Sequence, residues 1–472
     1  MSKKIYQPTW ESLNEHKIPK WFMDSKLGIF IHWGVFSVPA WAPLYVDKKD
    51  YYNEDIGYHP YAELYGWGMM YKDSPVWKYH VEKYGAAFQY EDFIPMFKAE
   101  KWQPDEWAKL FKDIGAGYVV LVTKHSDGYC MWPTGHSKRN CFETGPKRDI
   151  TGELTNAVRS LGMKMGLYYS TTFNYYYDRV GHITYRDLTH KQIREIVDNY
   201  TPDILWSDDY WKPEEKSFAA TWKSKELISY FYNHAENPEE VVANDRWGVE
   251  DNGLQLGDFS TPEYKVLPDT TDFYWELTRG IGQSYGYNQV ETDRDYISVF
   301  ELIKLFIDVV SKNGNLLLNV GPKADGTLEP FQVDRLKGLG SWLGVNGEAI
   351  YGTRPWVGAE GNSPDGIDIR YTMKNDAVYA ILAGSLKKQI TISDIRVRQG
   401  SLLKMLGSEQ SLEWTQDENG LHIKIPEKLP CSHACTVKIS PEPFKLMTGK
   451  SNQLESKYAE IWRRQGFIKL DL

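Results

Sequence analysis

Four apolar runs in the first half of this chain lack any polar alternation, and each ends at or next to a side chain able to do chemistry. They are Leu27-Gly-Ile-Phe-Ile followed by His32, Tyr118-Val-Val-Leu-Val-Thr-Lys followed by His125, Lys164-Met-Gly-Leu-Tyr168-Tyr-Ser, and Ile204-Leu-Trp206-Ser-Asp208. A strand with one wet face alternates apolar and polar residues, so a run without alternation belongs to a strand covered on both sides. Helical patterns fall between the runs. Pro104 to Gly115 sets Trp107, Leu110, Phe111 and Ile114 on one stripe, Thr151 to Gly162 is a capped helix, and Thr189 to Tyr200 leads into the fourth run. Strands alternating with helices build a parallel barrel, whose chemistry sits at the C-terminal strand ends.

The 472 residues exceed one such barrel, so a smaller module is expected after it. Ser298 and Glu301 form a capping box opening a helix to Ser311, Asn315 to Val320 is a late strand, and Phe331 to Leu343 is the last long helix. Glu348 to Thr353 reads as a terminal strand or an exit segment. After Trp356 and the turn cluster Gly361 to Gly366, short alternating segments follow: Ile367 to Met373, Ala377 to Leu382, Gln389 to Ile395, Leu412 to Thr415, Leu421 to Ile425 and Cys435 to Ile439. Glu418-Asn-Gly420 reads as a hairpin turn between two of them. The expected architecture is α/β: a (β/α)8-like TIM barrel over residues 1–355, a C-terminal antiparallel β-sandwich over 356–447, and a polar tail over 448–472.

The chemistry concentrates between Asp203 and Asn288. Asp208 and Asp209 end an apolar run, and Glu263 stands on a Thr- and Pro-containing segment beyond a further strand end near Asn244 to Arg246. Two carboxylates on neighbouring strand ends are the equipment of a glycosidase. Strand alternation puts Trp206 and Asp208 on one face and Asp209 on the other, favouring Asp208. The 18 Trp and 32 Tyr suit a carbohydrate partner, because the apolar faces of a pyranose stack on such rings. A Tyr- and Trp-rich insertion over residues 39–90 is the kind of loop that lines a barrel mouth.

A net charge of −9 argues against nucleic acid, and the absence of any 18-residue apolar run argues against a membrane span. The first residues carry two lysines but no apolar signal core, giving an expectation of a cytoplasmic protein. Cys130, Cys141, Cys431 and Cys435 are too few for a disulfide framework. Cys431-Ser-His-Ala-Cys435 has a spacing a metal could use, but without a second ligand pair it reads as structural. Gly321 to Gly326 lacks the Gly-Lys-Ser/Thr of a phosphate loop.

Six motifs occur in order: HWG at His32 to Gly34, TKHSDGY at Thr123 to Tyr129, GPKRD at Gly145 to Asp149, LWSD at Leu205 to Asp208, NDRWG at Asn244 to Gly248, and NLLLNVGPKADG at Asn315 to Gly326. Over roughly the first 355 residues this resembles a glycoside hydrolase family 29 α-L-fucosidase. The resemblance implies a retaining exo-acting hydrolase that needs no metal or cofactor and acts on a fucosylated oligosaccharide or glycoconjugate. It implies Asp208 as nucleophile and Glu263 as acid/base, with Glu276 as the alternative. It implies His32, Glu63, Leu64, His125, Ser126, Tyr168, Trp206, Arg246 and Tyr285 as substrate-binding residues. Ser126 departs from a common second histidine, and Tyr285 stands where a phenylalanine is more usual. A transfucosylase, or a non-catalytic fucose-binding protein on the same barrel, are the other readings. A homo-oligomer is compatible with all three.

Overall fold

Seven parallel strands lie in the order β5-β4-β3-β2-β1-β7-β6: β1 (Leu27–Ile31), β2 (Tyr118–Lys124), β3 (Lys164–Ser170), β4 (Ile204–Asp208), β5 (Val242–Ala243), β6 (Trp275–Gly280) and β7 (Gly314–Val320). They come from a computed structural model describing residues 3–45, 56–171, 182–208, 222–248 and 255–446. Asp209, residues 46–55 of the insertion and the 448–472 tail lie outside the described residues.

Side-chain alternation divides the sheet into two apolar layers. Phe30, Tyr118, Val120, Val122, Tyr168, Ile204, Trp206, Val242 and Leu317 form an inner core. Their neighbours Ile29, Ile31, Val119, Leu121, Leu167, Tyr169, Leu205, Leu316 and Leu318 join an outer core shared with the helices. Both faces of each strand are therefore dry, which is why the apolar runs show no alternation.

The helices that cover the outer layer are α1 (Pro104–Asp113), α2 (Ile150–Ser160), α3 (His182–Tyr200), α4 (Ser224–His234), α5 (Val299–Ser311) and α6 (Pro330–Asn346). Their caps follow local chemistry: Asp149 accepts from Gly152 N at 2.9 Å, and Ser298 with Glu301 closes the expected capping box. The third helix starts at His182 rather than Thr189, since no glycine or proline intervenes to stop it.

Among the described residues the parallel sheet has seven regular strands. Between its edge strands β5 and β6 stand isolated parallel bridges, Asn244 to Phe259 and Ser260 to Trp275. Phe259 nonetheless fills the inner core. Gly257 and Pro262 bracket the stretch. Gly257 has φ 126°, and a Cβ there would lie 2.1 Å from the Asn244 carbonyl oxygen. Pro262 offers no N–H to a ladder.

Residues 348–353 take the second of the two forms expected, an exit segment. They form no strand: Ile350 N and Tyr351 N both bond to Gly347 O, so the backbone is satisfied within turns. The following strand is β8 (Arg354–Gly361), which joins β9 (Asp368–Lys374), β10 (Ala377–Ala383), β13 (Leu402–Met405) and β16 (Ala434–Ser440) in an antiparallel sheet ordered β13-β16-β10-β9-β8. A second antiparallel sheet holds β11 (Gln389–Ile392), β14 (Trp414–Asp417) and β15 (Gly420–Lys424), while β12 (Ile395–Arg396) pairs with β17 (Phe444–Lys445). The expected single strand from Gln389 to Ile395 is broken at buried Asp394. Its carboxylate accepts from Tyr371 Oη at 3.0 Å and Lys445 Nζ at 2.6 Å. Strand β10 is buried throughout: Val378, Ala380 and Leu382 enter the core between the C-terminal sheets, and Ala377, Tyr379, Ile381 and Ala383 join the barrel's outer core.

Candidate active site

A cavity of about 420 Å³ opens at the C-terminal ends of the parallel strands. Its inner wall is built by alternation. Phe30 and His32 project from β1 and its end, Tyr168 from β3, Trp206 and Asp208 from β4, and Thr278 from β6. Tyr168 and Trp206 are register partners on adjacent strands, stacked with centroids 5.4 Å apart.

Arg246 organises the polar side. Its Nη1 donates to Asp208 Oδ1 at 2.9 Å and to Glu263 Oε1 at 2.5 Å. Two oxygens on one nitrogen can be no farther apart than those distances laid end to end, about 5.4 Å. The guanidinium is itself held: Nε donates to Thr261 Oγ1 at 2.9 Å, Nη2 to Thr261 O at 2.8 Å, and its Cζ lies 4.9 Å from the Trp206 ring centroid. Burial opposes its charge, but Glu263 and Asp208 outweigh that and hold its pKa well above the ordinary value. The second oxygen of Asp208 accepts from Tyr168 Oη at 2.8 Å.

Glu263 sits on the segment bridged to Thr278 of β6, followed by Tyr264 at φ 53°. A left-handed tyrosine costs about 1–2 kcal/mol. Tyr264 is fastened by N to Thr278 O at 3.0 Å, by Oη to Gln283 O at 2.9 Å, and by Gly280 N donating to that hydroxyl at 3.1 Å.

His32 Nδ1 contacts Asn319 Oδ1 at 2.6 Å, and the Asn319 amide donates to Tyr285 O at 2.6 Å. The amide orientation makes Oδ1 an acceptor, so His32 carries its proton on Nδ1 and Nε2 remains an acceptor for a ligand. Burial, then the neighbouring His125, depresses the His32 pKa and keeps the ring neutral. His125 Nδ1 meets Ser126 Oγ at 3.1 Å, so the serine in the second-histidine position engages the first histidine. Glu63, in a 3-10 turn of residues Ala62–Leu64, accepts from Gly286 N at 2.7 Å and Ser284 Oγ at 3.2 Å. Burial pushes its carboxyl up to about 7. Leu64 lines the cavity beside it, and the Tyr285 hydroxyl finds a partner in Thr278 Oγ1 at 3.1 Å.

Glu276 is different. It is 0% exposed, beneath the cavity floor, and receives Trp206 Nε1 at 3.2 Å and the Tyr118 hydroxyl. Every other site residue expected from sequence lines the cavity.

The profile described as alpha-L-fucosidase matches residues 1–348, and that of the α-L-fucosidase C-terminal domain matches 365–440. The chain belongs to the α-L-fucosidases of glycoside hydrolase family 29. It is 34% identical over 460 residues to the tissue α-L-fucosidase of Mus musculus, covering 93% of this chain and 96% of that one. It is 35% identical over 460 residues to that of Homo sapiens, covering 92% of each. The solved α-fucosidase of Thermotoga maritima is 41% identical, with a TM-score of 0.80 over 92% of this chain and 99% of that one. That enzyme has also been solved with fucose and with a mechanism-based inhibitor.

The α-L-fucosidase cavity contains residues that sequence reading did not single out. Phe30 and Thr278 were legible in principle, each two positions along a strand from a residue already noted. Asn319, the next-to-last residue of β7, is a polar residue in an apolar strand that holds His32. Ile56, His59, Tyr61 and Trp67 line the mouth from the aromatic insertion, whose path over the barrel has no local sequence signature.

Proposed function

We propose that this chain hydrolyses terminal α-L-fucosyl residues with retention of anomeric configuration, through a covalent fucosyl-enzyme intermediate. The observation that carries the mechanism is the single guanidinium nitrogen between the two carboxylates. An oxygen separation of at most about 5.4 Å lies below the ~6.5–9.5 Å at which inverting enzymes hold their carboxylates and favours the closer spacing of retaining enzymes. In this reading Asp208 attacks the anomeric carbon, oriented by Arg246 and Tyr168. Glu263 protonates the departing oxygen and then activates water. Glu276 is a floor residue, since both of its oxygens are occupied beneath Trp206. His32 Nε2 and Glu63 take sugar hydroxyls, and Phe30, Trp206 and Tyr285 give the C6 methyl an apolar seat. The bridged segment around Phe259 serves as the eighth stave of the barrel.

The test is release of p-nitrophenol from its α-L-fucoside. Asp208→Gly is expected to lower kcat by roughly three orders of magnitude or more, and added azide should restore turnover as an inverted glycosyl azide. An active variant, or an unmodified protein that binds fucose without cleaving the glycoside, overturns the assignment.

A further inference from the structure

We propose that Cys431 and Cys435 form a reactive thiol pair, oxidised to an intrachain disulfide by low-molecular-weight disulfides of the glutathione type. The site lies away from the sugar cavity, at the seam where the C-terminal sheets meet helix α6.

Both thiols are free, and their sulfurs stand 3.2 Å apart in hydrogen-bond contact. A tight turn creates this approach. Ala434 N bonds to Ser432 O at 2.9 Å, His433 takes φ 70°, and Cys431 Sγ bonds to Ala434 O at 3.1 Å. The turn is docked on the barrel by Trp342 Nε1, which donates to Ala434 O at 2.7 Å, so the two cysteines are presented as a fixed pair.

The two sulfurs are not equivalent. Cys431 is partly exposed and receives the Asn346 amide at 3.5 Å, whereas Cys435 is buried. The sulfur–sulfur contact with Cys435, assisted by the Asn346 amide, brings Cys431 down to about 7, while the same contact and burial push Cys435 up. An accessible thiolate backed by a shielded thiol is the arrangement of an attacking and a resolving cysteine. Cys130 and Cys141 lack it: both are fully buried, and burial raises their thiols. Among the described residues no group of three or more His, Cys, Asp or Glu is placed to hold a metal ion, so the pair stands as a two-sulfur site.

The exchange balances in two steps. The Cys431 thiolate attacks one sulfur of the external disulfide, forming a mixed disulfide and releasing one small thiolate, which takes a proton. Cys435 then gives its proton to solvent and attacks the Cys431 sulfur, expelling the second small thiol. Two protein thiols are oxidised, and one external disulfide is reduced to two thiols.

The experiment incubates the folded full-length chain with oxidised glutathione, denatures it in excess alkylating agent, and maps the peptides by mass spectrometry. The expected result is a Cys431–Cys435 peptide two hydrogens lighter and unalkylated, with Cys130 and Cys141 fully alkylated. Cys435→Ser should accumulate glutathione on Cys431, because the resolving thiol is gone, and Cys431→Ser should leave Cys435 unmodified. Full alkylation of both thiols in the parent protein, or a Cys435→Ser variant without an adduct, overturns the proposal.

Discussion

Arg246 shows how one side chain sets the geometry of the whole centre. It joins both carboxylates through one nitrogen and is braced by Thr261 through two others. A lysine keeps the charge but not this fork, so Arg246→Lys should lower kcat/KM by about 100-fold. The unfolding midpoint should barely move, as steady-state kinetics and thermal melts on one preparation would show. Glu276 bears on stability instead. Burial raises its carboxyl to about 7, well above an ordinary glutamate. Below the ordinary glutamate range both folded and unfolded chains hold the proton. As pH rises toward 7 only the folded chain does, so the contribution to stability is lost through that window. Glu276→Gln removes the titration, and its stability relative to the parent should improve by about 3 kcal/mol between pH 5 and pH 8. Urea unfolding at the two pH values measures the difference; an unchanged gap would mean that Glu276 is ionised throughout.

At the scale of elements, the seven strands place their chemistry through period-two alternation, and the gap between β5 and β6 is where that regularity ends. The bridged segment there passes so close to Asn244 that only a glycine fits at position 257. Gly257→Ala meets a backbone oxygen and an unfavourable φ together, and should cost about 3 kcal/mol of stability. Denaturant titration would read this as a lower midpoint with an unchanged slope. The same shift should loosen Asn244, whose side chain holds Ser207 N at 2.8 Å and Ser207 O at 2.8 Å, next to Asp208. A fall in kcat beyond the loss of folded protein is therefore expected.

Across the whole molecule, β10 belongs to two cores at once, with one face in the C-terminal sheets and the other against the barrel helices. The C-terminal sheets are thus part of the barrel's outer packing. A chain ending at Gly352 would expose that apolar seam and should aggregate rather than give a soluble, active barrel, as soluble yield and glycoside hydrolysis would reveal. The first four parallel strands, the late strand β7, the parallel α/β arrangement, the C-terminal antiparallel module and the residues at those strand ends were legible in the sequence, because burial on both faces and period-two alternation are written in neighbouring residues. The choice of Asp208 over Asp209 rested on the same local rule; Asp208 lines the cavity, while Asp209 lies outside the described residues. Three features came only from tertiary structure: the isolated bridges between β5 and β6, the burial of Glu276 beneath Trp206, and which residues of the insertion line the cavity. Each depends on contacts between residues far apart in the chain, where Glu276 meets Tyr118 and Glu63 meets Ser284. Local patterns state which residues are buried; the packing of the closed chain determines what each buried residue meets.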